Sequence, residues 1–215
     1  MFTQNRRTAI FRAEFSSPLF QAFNQAWQLQ EALYEVLAAH GVSPADVRLE
    51  RREGEPSCSA NVLGLGMVVS VRLTHLEVFF LHLDDDDRAR GGVLGTLLDR
   101  LGALTGGYRM YSLAFDHHGS LEGATPQELI RRWVTPPSDG LGPITDCSAA
   151  FYYGPSASRE ATSIHLEPSS IVRGGLFVKT SSVWRADGNP IDVVLRDGIT
   201  ASRQTMALLG LDATG

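Results

Sequence analysis

Apolar and polar positions change period several times along the chain, and each change predicts an element. Residues 8–15 predict a strand. Ser17-Pro18 then predicts a helix start, with Ser as N-cap and Pro at the first helical position. Leu19, Phe20, Phe23, Ala26, Trp27, Leu33, Val36 and Leu37 fall on one broad 3.6-residue stripe, and Gly41 supplies a C-cap. Residues 46–83 read as β. Asp46 to Arg52 is a polar edge strand, and Gly54-Glu55-Pro56 is a turn. From Leu63 to Leu73, apolar residues alternate with Gly64, Gly66, Ser70 and Arg72, as in a strand or a hairpin broken at the glycines. Leu76 to Leu83 is apolar in both phases, which predicts a central strand.

After Asp84–Asp87 the period returns to 3.6, with Val93, Leu94, Leu97, Leu98, Leu101 and Leu104 as the stripe and Gly106-Gly107 as the stop. Tyr108 to Phe115 predicts a strand. Thr125-Pro126-Gln127-Glu128 is a capping box that opens a short helix, and Pro136–Pro143 is a loop. Three β segments are expected near 147–154, 160–167 and 175–184. A last helix should start at Asn189-Pro190 and run to about Leu209; Gly198 weakens it, and strand is the alternative for Asp192–Leu195. The apolar phases predict a core that includes Phe23, Trp27, Leu33, Leu37, Met67, Val69, Val78, Phe80, Leu97, Leu101 and Leu113.

The order strand, helix, several strands, helix occurs twice. This predicts an α+β fold of two pseudo-equivalent halves, 1–106 and 107–215, or one continuous domain. Long helices would pack on one face of an antiparallel sheet. The element order resembles that of the TATA-binding-protein fold class, in topology only and with no inference of DNA binding.

Composition narrows the class of protein. The 215 residues are 43% hydrophobic and 20% charged, which fits a chain able to bury a real core. A net charge of −5 gives little long-range attraction for nucleic acid or anionic lipid. Lys179 is the sole lysine, so ion pairs should be arginine pairs. Cys58 and Cys147 stand far apart with no C-x-x-C partner, which suits two thiols in a reducing cytosol. Arg6-Arg7 lacks the apolar segment of an export signal, and no apolar run reaches the ~18–20 residues of a membrane span.

Two constellations invite chemistry. The first is His82 with the run Asp84, Asp85, Asp86 and Asp87, whose carboxylates suit Mg²⁺, Ca²⁺ or Mn²⁺. Aspartates ahead of a helix also cap its free N–H groups, so a solvated cap is the simpler reading. The second is Asp116-His117-His118. After a strand, it resembles one motif of the DHH phosphoesterases, which place His and Asp on two Mn²⁺ ions to activate water. That resemblance covers three residues, and residues 1–83 contain only one aspartate, Asp46. The simpler reading is a polar turn at the strand end, closed by Gly119.

Other features carry less. Gly64-Leu65-Gly66 precedes no helix, so no dinucleotide fingerprint is supported. Gly91, Gly92 and Gly95 are expected to allow close helix–sheet approach. Ser163 and His165 should share the solvent side of a strand, and Tyr152-Tyr153 should end one. No G-x-S-x-G elbow is present. The leading expectation is a cytosolic, non-catalytic protein that binds a protein or small-molecule partner and needs no cofactor. The alternative is a Mg²⁺- or Mn²⁺-dependent hydrolase or phosphoesterase using His82, Asp84, Asp85, Asp116, His117 and His118. A nucleic-acid-binding sheet is third, disfavoured by charge.

Overall fold

Nine antiparallel strands form one sheet in the computed structural model, which describes residues 1–52, 54–84, 87–134 and 147–211. The strands are β1 (Phe2–Phe15), β2 (Arg48–Arg52), β3 (Glu55–Val62), β4 (Met67–Arg72), β5 (His75–Phe80), β6 (Tyr108–Leu121), β7 (Ala149–Tyr153), β8 (Ala161–Pro168) and β9 (Leu176–Arg185). Their order across the sheet is β2-β3-β4-β5-β1-β6-β9-β8-β7. Five helices accompany them: α1 (Phe20–Asn24), α2 (Ala26–Leu37), α3 (Arg88–Thr105), α4 (Pro126–Arg131) and α5 (Ile191–Leu208). The fold is therefore α+β, as expected. The loop read at Pro136–Pro143 lies outside the described residues, as do Asp85 and Asp86.

The sheet alternates cleanly. Ala9, Phe11, Ala13 and Phe15 of β1 point inward beside Tyr111, Leu113 and Phe115 of β6, and Trp184 of β9 lies on the same side. Helices α2, α3 and α5 cover this face in one main core. A smaller cluster joins Phe2, Leu129, Ile130, Leu166, Leu176 and Met206. Burying one such aliphatic or aromatic side chain contributes about 1.5–3 kcal/mol.

Several expectations need correction. Strand β1 starts at Phe2, not at residue 8: its polar first half is held by pairing with residues 117–121 of β6. No side chain caps α1, whose N-cap is Leu19 rather than Ser17. A break at Gln25 (φ −114°, ψ 58°) splits the expected long helix into α1 and α2 and resets its phase. Helix α2 buries Leu29, Ala32, Leu33 and Leu37. Trp27, two residues from Leu29 and so about 200° around the helix, is 61% exposed, not core. The other ten expected core residues are buried, apart from a half-buried Phe23.

Glu55 and Pro56 belong to β3 rather than to a turn. The glycines do break the alternating run, because Leu63–Leu65 form a 3₁₀ turn closed by Gly66 at φ 57°. Strand β5 buries one face only: Leu76, Val78 and Phe80 are inside, while His75, Glu77 and Phe79 are half-buried. The capping box at Thr125 and Glu128 forms as expected. Residues 192–195 are helical, not strand.

Gly198 has a packing role that helix propensity does not reveal. A Cβ there would lie 2.6 Å from Leu113 Cδ2 and 3.1 Å from Trp184 Cη2. Gly198→Ala should therefore destabilise the protein by about 1–3 kcal/mol, even though alanine is the better helix former. Gly91→Ala is the control: its Cβ would meet Leu195 Cδ1 at an ordinary 3.6 Å. It should be neutral or stabilising by up to about 1 kcal/mol. Urea denaturation of both variants checks the contrast, and equal effects would contradict it.

Candidate functional site

The site is assembled where α3 and α5 leave the sheet. Asp87 is the N-cap of α3 and accepts a hydrogen bond from the Arg90 backbone N–H at 3.3 Å. Its carboxylate also pairs with the Arg90 guanidinium, whose Nε–H donates to the Leu65 carbonyl. The start of α3 is thus tied to the β3–β4 turn. The two helices run antiparallel, with Gly91 facing Leu195 and Gly95 facing Ile191. The glycines permit close helix–helix approach rather than the expected helix–sheet approach.

Between the first two turns of each helix lies a groove of about 410 Å³. Its floor is apolar: Leu83, Ile191, Leu195 and Ile199. Its rim is charged, with Asp84, Asp87 and Asp192 against Arg88 and Arg196. Two of these carboxylates are engaged: Asp87 with Arg90, and Asp84 with Arg7 Nη1 at 3.0 Å. Arg88 and Arg196 have no ion-pair partner among the described residues. The groove falls in the size range of small-molecule sites.

Behind the Asp84 end lies a polar cluster within the covered face. Arg7 occupies the inward phase of β1, and its Cζ sits 4.8 Å above the centre of the Phe115 ring. Its cross-strand partner is His117. The buried Ser202 hydroxyl accepts from Thr180 at 3.0 Å and donates to His117 Nε2 at 2.9 Å, while His117 Nδ1–H donates to Gln4 Oε1 at 2.9 Å. For a neutral imidazole, that chain requires the Nδ1–H tautomer. Burial, helped by the positive charge of Arg7, pushes the His117 pKa down to about 4.

Ser202, His117 and Gln4 have the connectivity of a nucleophile, a base and an orienting group. Ser202 is only 1% exposed, however, and does not line the groove. A hydroxyl sealed in this way has no access to a substrate, so the chain acts as a buried polar tie between β1, β6, β9 and α5.

The structure places the expected metal ligands that it describes at different points. Asp116, His117 and His118 lie inside β6, not in a turn at its end. Strand alternation sends His117 to the helix side and His118 to the opposite face. There His118 Nδ1 accepts from Ser169 Oγ at 2.9 Å, and its ring packs 4.6 Å from Phe177. Asp116 shares that face, with Oδ1 3.9 Å from Lys179 Nζ. His82 is exposed beyond the end of β5, and Asp84 faces Arg7. Asp85 lies outside the described residues. Among the described residues, no three of His, Cys, Asp and Glu come together as metal ligands.

The cations of the open sheet face are largely neutralised. Arg12 pairs with Glu77 at 2.7 Å and Arg109 with Glu14 at 3.4 Å, and Lys179 faces Asp116. Phosphate backbones need cations that carboxylates have not already claimed. Cys58 is buried, and burial pushes its thiol up to about 12, so it is no nucleophile. No helix of the described residues is long and apolar enough to cross a membrane.

Arg7, Gln4, Thr180 and Ser202 were missed by sequence reasoning. One signal was present: extending the period of Ala9, Phe11, Ala13 and Phe15 back by two residues places Arg7 on the buried side. No protein-family model matches the chain, and no curated protein matches it.

Proposed function

We propose that the protein is a cytosolic, non-catalytic binding protein whose α3–α5 groove holds a small anionic amphiphile. One observation carries this reading: an apolar floor meets two guanidinium groups, Arg88 and Arg196, that have no ion-pair partner among the described residues, at the same groove. The apolar body would lie on Leu83, Ile191, Leu195 and Ile199. A carboxylate, sulfonate or similar head would take charge-assisted hydrogen bonds from the arginines. Asp192 limits the net positive charge, which favours a singly charged head over a phosphate cluster.

The same reading takes residues 1–106 and 107–215 as duplicated halves with the TATA-binding-protein-like element order. Its support is the strand order. Strands β1 and β6 are central neighbours; β5 and β9 each flank the central strand of their own half, and earlier strands step outward. Each half closes with an 18-residue helix.

The test is a fluorescence titration of the folded protein with 1-anilinonaphthalene-8-sulfonate, an apolar ring system with a sulfonate head. Saturable binding at one site is expected. Gly92→Leu, which fills the groove from a position with open space around its Cβ, should weaken it about tenfold or more, as should the double variant Arg88→Glu/Arg196→Glu. Binding that both variants leave unchanged, or no saturable binding at all, would overturn the proposal.

A further inference from the structure

The two edges of the sheet differ in chemistry. Edge strand β2 exposes Arg48, Glu50 and Arg51. Antiparallel pairing of two such edges about Glu50 would set Glu50 opposite Glu50 and Arg48 opposite an arginine at position 52. Like charges directly opposite disfavour pairing, and charged edges are how sheet proteins avoid it. The other edge, β7, reads Ala149-Ala150-Phe151-Tyr152-Tyr153 and has no charge and no proline. Among the described residues, only β8 pairs with it.

The β7 edge also presents exposed aromatic side chains. Tyr152 is 76% exposed, Tyr153 53% and Trp133 48%. Trp133 meets Phe151 edge-on with ring centres 6.5 Å apart on the helix side, while Tyr152 meets His165 edge-on at 5.5 Å on the open side. Aromatic residues around an edge strand supply the anchors of an interface core, and the side of β7 that no described strand pairs supplies N–H and C=O groups for a partner strand.

We infer that β7 is a homodimerisation edge, pairing antiparallel with β7 of a second copy about a two-fold axis at Phe151. The five-residue sequence is self-complementary in size. This register sets Phe151 opposite Phe151, Ala150 opposite Tyr152, and Ala149 opposite Tyr153, so each tyrosine faces an alanine rather than another tyrosine. The alternation also agrees on both faces: Tyr152 covers Ala150 on the open side, and Tyr153 covers Ala149 on the helix side. The result is a closed, isologous dimer with one continuous eighteen-stranded sheet. The same device that protects the β2 edge leaves only one edge for pairing, so assembly stops at two chains.

Sedimentation velocity on the purified chain tests this. The wild type should run at the mass of two chains at protein concentrations of roughly 100 µM and below. Ala150→Lys/Tyr152→Lys changes two exposed side chains and sets lysine opposite lysine; it should be monomeric with an unchanged circular dichroism spectrum. Ala150→Glu/Tyr152→Glu should be monomeric as well. Mixing the lysine and glutamate variants should restore a one-to-one dimer, which a merely damaged fold would not do. A monomeric wild type, a dimer that persists in the lysine variant, or no rescue on mixing would each overturn the inference. A monomer that instead captures an added extended peptide of sequence Ala-Ala-Phe-Tyr-Tyr would overturn self-pairing in favour of a foreign strand.

Discussion

Replacing Trp184 with alanine is expected to destabilise the protein by about 3–5 kcal/mol, the range for truncating a buried aromatic. Trp184 is 2% exposed on the inward face of β9, against α5. Its indole N–H donates to Asp197 Oδ2 at 3.0 Å, and the same carboxylate is held by Arg159. Truncation thus removes both a large apolar contact and a hydrogen-bond donor at the sheet–helix junction. For a chain of this size the loss corresponds to a drop in melting temperature of roughly 10 °C. Trp27→Ala is the comparison. Its ring is mostly in solvent, so the change should fall within about 0.5 kcal/mol of wild type. Comparable losses at the two positions, read by thermal and urea denaturation, would show that the phase of α2 or β9 is wrong.

Acidification should cost a similar amount through His117 alone. In the unfolded chain an imidazole titrates near 6.5, whereas in the folded protein His117 titrates near 4. Between these values the unfolded state binds the proton and the native state does not. Stability contributed by neutral His117 is therefore fully present above pH 6.5 and is lost as pH falls toward 4, by about 3 kcal/mol in total. Burial is the main cause, and the nearby charge of Arg7 adds to it. Carboxylates with lowered pKa, such as Glu77, also withdraw support at low pH, so the comparison must be made against a variant. His117→Gln should be less stable than wild type at pH 7, and the gap should close by about 3 kcal/mol on going to pH 4. A gap that is constant with pH would mean that His117 is not held neutral.

Elements with strong local signals were legible in the sequence. Helix α3 has six periodic apolar residues between an aspartate cap and Gly106, and α4 carries its own capping box. What escaped depends on partners distant in the chain. Residues 2–7 are mostly polar and become strand only because β6 pairs with them. Strand β3 reads as Pro, Ser, Cys, Ser, Ala and Asn, with too little apolar bulk to announce itself, although Cys58, Ala60 and Val62 do alternate inward. Trp27 misled because a helix break leaves no mark on an apolar stripe. At the candidate site, Asp84 and the glycines of α3 stand out in the sequence. Arg7, 77 positions from Asp84, enters only through β1–β5–β6 pairing, and Arg196 enters only through helix packing.

We propose the groove between α3 and α5 as a ligand site for an anionic amphiphile. Its most direct measurement is an NMR titration of the ¹⁵N-labelled protein with 1-anilinonaphthalene-8-sulfonate, followed by amide shifts. Saturable shifts are expected, confined to the starts of the two helices and centred on Gly91, Gly92, Gly95, Leu195 and Arg196, with the open sheet face unmoved. Shifts that centre instead on the open-face strands around Arg12 and Lys179, or none that saturate, would contradict it.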